Sequence, residues 1–125
     1  MNRIITAIVM LLAVAGGATG ESCYVISVSE DVRTHLQCAM ESYHRDDITQ
    51  TEKHLHEAEK IWDNSRSVLN SLLIHNYTET ISEHITTTID TLQYDKENFP
   101  IECHTTTDAV QVIIDSMIPH IDNIL

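Results

Sequence analysis

The chain has 125 residues, a formal net charge of −12, three glycines, two prolines and 5% aromatic residues. This length provides for one domain with one modest core. So little glycine and proline argues against a turn-rich β-sandwich and predicts an all-α fold: a small antiparallel bundle of three to four helices after an N-terminal apolar leader or anchor helix. The acidic charge repels phosphates, which argues against nucleic acid as a partner.

The first twenty residues are typical of an export signal. Arg3 precedes an apolar run from Ile4 to Ala15, and small residues follow as far as Gly20. Cleavage after Gly20 would release a secreted protein, whereas an uncleaved segment would anchor the chain in the membrane, and both alternatives stay open. We therefore predict a signal peptide or membrane anchor at residues 1–20 and an extracytoplasmic helical domain at residues 21–125.

The first helix of the domain is expected from Ser29, as its N-cap, to about His44. Its apolar positions recur at three and four residues and predict one buried face. These positions are Val32, Leu36, Ala39, Met40 and Tyr43. The connection after His44 is the short Arg45-Asp46-Asp47 sequence, in which an aspartate can cap the next helix, so the first two helices should be antiparallel neighbours.

A helical pattern without proline or glycine runs from Asp47 to Tyr94. Its apolar stripe comprises Ile48, Leu55, Ala58, Trp62, Leu69, Leu72, Leu73, Ile81, Ile85, Ile89 and Leu92. One unbroken helix of this length would reach about 70 Å, too long for so small a domain. We expect a break at residues 75–78 or at residues 63–65; a continuous central helix is the alternative.

Asp95 to Pro100 is predicted to be a loop, because Pro100 disfavours helical geometry in the residue before it. The last helix is expected to begin between Thr105 and Asp108, and Pro119 should kink or end it. Its predicted buried face consists of Val110, Ile113, Ile114, Met117, Ile118 and Ile121.

Four features together resemble an uncharacterised bacterial family, domain of unknown function 4363. They are Ala58 four residues before Trp62, the sequence Leu72-Leu73-Ile74-His75, the isoleucine-rich helix that follows, and a terminal Asn123-Ile124-Leu125 behind an apolar leader. The resemblance covers most of the chain after residue 20. It implies a small helical domain on the outer face of the membrane, and it implies no particular activity.

Eight histidines invite a metal hypothesis, but their spacing does not support one. His54 and His56 lie two residues apart and point to different sides of a helix. Glu41 and His44 have the Glu-x-x-His spacing of di-iron bundles, which require two such motifs, and only one is present. We predict no metal site and no cofactor. Four residues are assigned instead as structural anchors: Trp62, His75, Leu69 and Leu72.

Cys23, Cys38 and Cys103 lie in a segment that is expected to be outside the cytoplasm, where disulfides form. Three cysteines allow one pair at most, and sequence does not determine which. We favour a Cys38–Cys103 disulfide, which leaves Cys23 free.

No phosphate-binding glycine loop, HExxH zinc helix or GxSxG elbow is present, so we do not expect an enzyme. The first hypothesis is a non-enzymatic extracytoplasmic module that binds an unknown protein partner in the cell envelope, attached to the membrane through the N-terminal segment if that segment is uncleaved. The second is a metal- or pH-responsive binding protein that uses its histidines and carboxylates.

Overall fold

The computed structural model describes residues 2–72 and 75–117, without the side chains of residues 11–22, 72, 75 and 76. The α-helices are α1 (Asn2–His44), α2 (Ile48–Leu72), α3 (His75–Tyr94) and α4 (Phe99–Met117), and a 3₁₀ helix, Lys96–Asn98, precedes α4. The predicted all-α class is confirmed.

The helices form a bundle in which each α-helix contacts two neighbours. α1 contacts α2 and α4, and α3 contacts the same two helices from the other side. Within the described residues the diagonal pairs, α1 with α3 and α2 with α4, make no close backbone contact. This ring places the four apolar stripes around one core.

The core contains most of the apolar positions that the spacing predicts. Its largest side chain is Trp62, which is fully buried on α2. The other buried apolar residues are Val25, Val28, Val32, Leu36, Ala39, Leu55, Ala58, Leu69, Ile81, Ile85, Leu92, Phe99, Cys103, Val110, Ile113 and Ile114. Ile48, Ile89 and Met117 pack at its edge.

The start of the first bundle helix differs from the prediction. Ser29 is not an N-cap, because α1 is continuous from Asn2 and Ser29 lies buried within it. The helical apolar segment that precedes Ser29 already supplies carbonyl partners for the backbone N–H groups there, so no cap is needed. The division into a leader helix and a separate bundle remains a prediction, since both segments belong to one helix.

The connection between α1 and α2 is a tight turn at residues 45–47. Asp46 has a φ of 60°, a left-handed conformation that aspartate tolerates better than most residues. The backbone N–H of Gln50 donates to Asp47 Oδ1 at 3.2 Å, so an aspartate caps α2 as predicted, and that aspartate is Asp47 rather than Asp46. The short turn makes α1 and α2 antiparallel neighbours.

The long helical pattern is divided into two helices. α2 ends at Leu72 and α3 begins at His75, so the expected break at residues 75–78 is misplaced: these residues form the first turn of α3. The alternative break at residues 63–65 does not occur, because α2 passes through it and buries Ser65. Helical propensity alone did not distinguish the two sites.

α4 begins earlier than predicted. Its first residue is Phe99, and Pro100 occupies the first turn. Proline is tolerated there because its missing N–H would have no partner within the helix. Phe99 packs against Tyr43 with ring centroids 4.8 Å apart, and Tyr43 donates its hydroxyl to the carbonyl of Lys96 at 2.9 Å. The predicted kink at Pro119, with Ile118 and Ile121, lies outside the described residues.

Threonine hydroxyls join α3 to α4 inside the bundle. Thr88 Oγ1 and Thr106 Oγ1 are 2.7 Å apart, and both residues are fully buried. Thr106 Oγ1 also donates to the carbonyls of Glu102 and His84. Because both hydroxyls have carbonyl partners on a helix, these two threonines are accommodated in the core.

Candidate functional site

The largest side chain of the core also forms one wall of a cleft between α2 and α3. The cleft has a volume of about 200 Å³. Its lining comprises Glu59, Trp62, Asp63, Arg66, Ser82, Ile85 and Thr86. It is small beside the cavities of roughly 300–1,000 Å³ that hold drug-sized ligands.

Trp62 has no polar atom available to a ligand in this cleft. Its indole N–H donates to Ser82 Oγ at 3.1 Å and approaches the carbonyl oxygen of Thr78 at 3.4 Å. Ser82 in turn donates to the same carbonyl at 3.1 Å. A fully buried indole with a satisfied N–H serves as an anchor between α2 and α3, which is the role that the sequence assigns to it.

An ion pair between Arg66 on α2 and Glu79 on α3 lies beside the cleft. The hydrogen bond and the charge of Glu79 raise the pKa of Arg66. Both side chains are about two-fifths exposed, so water and salt screen the attraction. The pair links α2 to α3 near Trp62 and leaves the cleft without a free cation from Arg66.

A contact between two histidines joins α1 to α2. The sequence analysis did not predict it. His35 Nδ1 and His54 Nδ1 are 3.1 Å apart, with ring centroids separated by 5.4 Å and ring planes at 36°. Both side chains are half-buried. The hint available in the sequence was the short turn at residues 45–47, since folding the chain back there brings these two positions to the same level.

The neighbouring histidines are arranged differently. His56 lies 3.8 Å from Glu59, one turn along α2, and His104 lies 3.4 Å from Asp108 on α4. Both contacts are exposed and within a single helix. His54 and His56 therefore face different surroundings, as their spacing predicts, and it is His35 rather than His56 that approaches His54.

The other assigned anchors are only partly described. Leu69 is fully buried in α2. Leu72 ends α2 and His75 begins α3, but the side chains of both lie outside the described residues. The assignments of Leu72 and His75 as structural anchors thus stay predictions.

The favoured disulfide is not formed in the structure, where all three cysteines are free thiols. Cys103 is buried and its Sγ donates to the carbonyl of Leu36 on α1 at 3.6 Å, whereas Cys38 is half-buried. Burial raises the pKa of the Cys103 thiol to about 12. Cys103 is thus a neutral core residue at physiological pH, and a buried neutral thiol is a poor nucleophile.

Two structural features are absent from the part of the chain that the structure describes. No group of three or more histidine, cysteine, aspartate or glutamate side chains lies close enough together to hold one metal ion. In residues 2–72 and 75–117, no helix has both the length and the apolar character that crossing a membrane requires.

Comparison with known proteins gave no relative. No family model matches the chain, and neither the curated proteins nor the solved structures include a match.

Proposed function

We propose that the chain is a non-enzymatic helical protein of the cell envelope, which presents an acidic bundle to a protein partner outside the cytoplasm. In this account the N-terminal segment exports the chain or holds it at the membrane. Residues 21–125 then form an antiparallel bundle of four helices, the first of which continues the leader.

The observation that carries this proposal is a group of exposed apolar side chains at the start of α1. Ile4, Ile5, Ile8, Val9 and Met10 are each at least 51% exposed. Soluble domains seldom expose so many neighbouring large apolar groups unless these groups bind something. Arg3 precedes them, which is the charge order of a segment that enters an export pathway or a membrane.

The charge distribution supports a role in protein binding. All nineteen acidic residues follow residue 20, against six lysines and arginines there. An acidic surface keeps a protein soluble and favours partners with basic surfaces. The resemblance of Trp62 and the Leu72–His75 sequence to domain of unknown function 4363 supports a location outside the cytoplasm, since that family implies a small helical domain on the outer face of the membrane.

An export reporter tests the proposal. The full chain is fused through Leu125 to alkaline phosphatase, whose essential disulfides form only after export. We expect high phosphatase activity, and its loss when Ile8→Arg and Val9→Arg together interrupt the apolar segment. The matched control is Val112→Arg, because Val112 is equally apolar and 61% exposed on α4. An inactive fusion of the unchanged chain, present at normal abundance, would contradict the proposal.

A second candidate function is metal- or proton-responsive binding through the histidines, and the contact between His35 and His54 favours it. Two neutral imidazoles can form an Nδ1–Nδ1 hydrogen bond only when one carries the proton and the other offers a lone pair. Protonating both rings turns both atoms into donors and opens the contact. Isothermal calorimetry with zinc separates the candidates, because the first predicts no binding heat.

A further inference from the structure

The strongest unassigned feature is the pair of imidazoles that α1 and α2 bring together. His35 and His54 are nineteen residues apart in sequence, and their Nδ1 atoms approach to 3.1 Å. The half-buried position restricts both rings more than an exposed surface would. Two nitrogen ligands from separate helices are therefore already held close together before any ligand arrives.

The separation of the two nitrogen atoms suits a bound metal ion. Zinc–imidazole bonds measure about 2.0–2.1 Å, and two such bonds at the tetrahedral angle separate their nitrogen atoms by about 3.3 Å. The observed 3.1 Å is close to this separation, but the ring centroids lie 5.4 Å apart, so the two Nδ1 atoms point at each other and both rings would have to turn by roughly 35° to face a shared ion. For both neutral rings to bind the ion through Nδ1, the ring that donates the hydrogen bond would change tautomer: its proton would leave Nδ1 for solvent and Nε2 would take one up, so that each ring carries its single proton on Nε2.

We propose that His35 Nδ1 and His54 Nδ1 bind a divalent transition-metal ion of the zinc class, which links α1 to α2. This proposal rests on the second candidate function and specifies its site. Imidazole nitrogen is a preferred ligand of zinc, copper and nickel, whereas calcium and magnesium prefer oxygen. Water fills the remaining coordination positions, because the described residues supply no third ligand at one point.

Two other features of the molecule favour a cation at this place. The net charge of −12 raises the local concentration of cations around the bundle. The ion would also join the two helices on either side of the turn at residues 45–47, so binding should stabilise the fold by an amount that grows with the logarithm of the metal concentration above its Kd.

Calorimetry on the full chain in mild non-ionic detergent tests the site, with ZnCl₂ as the probe and the accessible thiols alkylated beforehand. We expect one zinc ion per chain and a melting temperature that rises with zinc. His35→Gln and His54→Gln should each lower zinc affinity at least tenfold. The matched control is His56→Gln, because His56 lies on the same helix as His54 and faces Glu59.

A second measurement does not depend on variants that must fold. Nitrogen chemical shifts of the histidine side chains in the unchanged protein should move at the Nδ1 atoms of His35 and His54 when zinc is added, and at no other ring. Zinc binding that survives both glutamine variants, with shifts at other histidines, would overturn this site and leave the second candidate function standing. Absence of any zinc binding would overturn both.

Discussion

The two ends of α1 have similar side chains and opposite environments. At residues 2–10 the large aliphatic groups are exposed, with Ile4 at 67% and Val9 at 58%. At residues 25–44 of the same helix, Val25, Val32 and Leu36 are at most 1% exposed. Helical backbone geometry is common to both ends, so the neighbours of each segment make the difference.

The contrast shows that the arrangement of apolar residues, rather than their number, predicts burial. In the second segment, apolar residues recur at three and four positions and face α2 and α4. In the first segment they occupy consecutive positions on several sides of the helix, which no single neighbour could cover. A helix that is apolar all round needs an apolar environment, and the described bundle does not provide one there.

The substitution with the largest expected effect on stability replaces Trp62, at the centre of the buried region. Trp62→Ala should cost about 3–5 kcal/mol of the free energy of unfolding, because it leaves a cavity between α2 and α3. This cost approaches the total stability of a small domain, so the variant should be largely unfolded. Circular dichroism during urea denaturation measures the change. An unaltered midpoint would show that Trp62 is not the anchor of the bundle.

A matched pair of substitutions on α1 compares its two ends directly. Leu36→Ala should cost about 2–5 kcal/mol, since Leu36 is fully buried. Ile5→Ala should change stability by less than about 0.5 kcal/mol, since Ile5 is 60% exposed. The same denaturation experiment gives both values. Equal losses would mean that residues 2–10 belong to the folded core, and this would contradict their exposed position.

The buried Cys103 thiol should make the folded protein less stable in alkaline solution. Its pKa is about 12 in the folded protein against an ordinary value of 9.0. The folded state thus keeps a proton that the unfolded state releases, so this contribution is complete below pH 9 and is lost as the pH rises from 9 through 12. At pH 10 the free energy of unfolding should be lower by about 1 kcal/mol for this reason.

Cys103→Ala is the control for this pH dependence, because it should remove the decline between pH 9 and 10 while lowering stability at neutral pH. Exposed Cys23 supplies a comparison within the same chain. Cys23 should react with iodoacetamide in the folded protein, whereas Cys103 should react only after unfolding. Rapid labelling of both cysteines would contradict the buried position of Cys103.

The substitution with the smallest expected effect on stability, Ser29→Ala, tests whether α1 is continuous. Ser29→Ala at a helix N-cap would cost about 1 kcal/mol. Within a continuous helix the same change should be neutral or stabilising, because the buried Ser29 hydroxyl has no hydrogen-bond partner in the described structure. Thermal melting of the variant distinguishes the two, and a clear decrease would restore the predicted helix start at Ser29.

Sequence reasoning predicted the helical class and most core positions because both follow from periodicity. It predicted an aspartate cap for α2 from local chemistry, and the structure identifies Asp47 as that cap. It missed the start of α4 because Pro100 was interpreted as a helix breaker, although the first turn of a helix accepts proline. It missed the contact of His35 with His54 because that contact depends on the register of two helices, which the short turn at residues 45–47 sets only approximately.

Hydrogen exchange of the full chain, with and without lipid vesicles, tests the contrast within α1 most directly. In buffer, we expect the amides of residues 25–44 to exchange slowly and those of residues 2–10 to exchange fast, because an isolated helical segment is only marginally stable in water. Vesicles should slow exchange at residues 2–10 and leave residues 25–44 unchanged. Equal protection of both segments in buffer, with no effect of vesicles, would contradict the account.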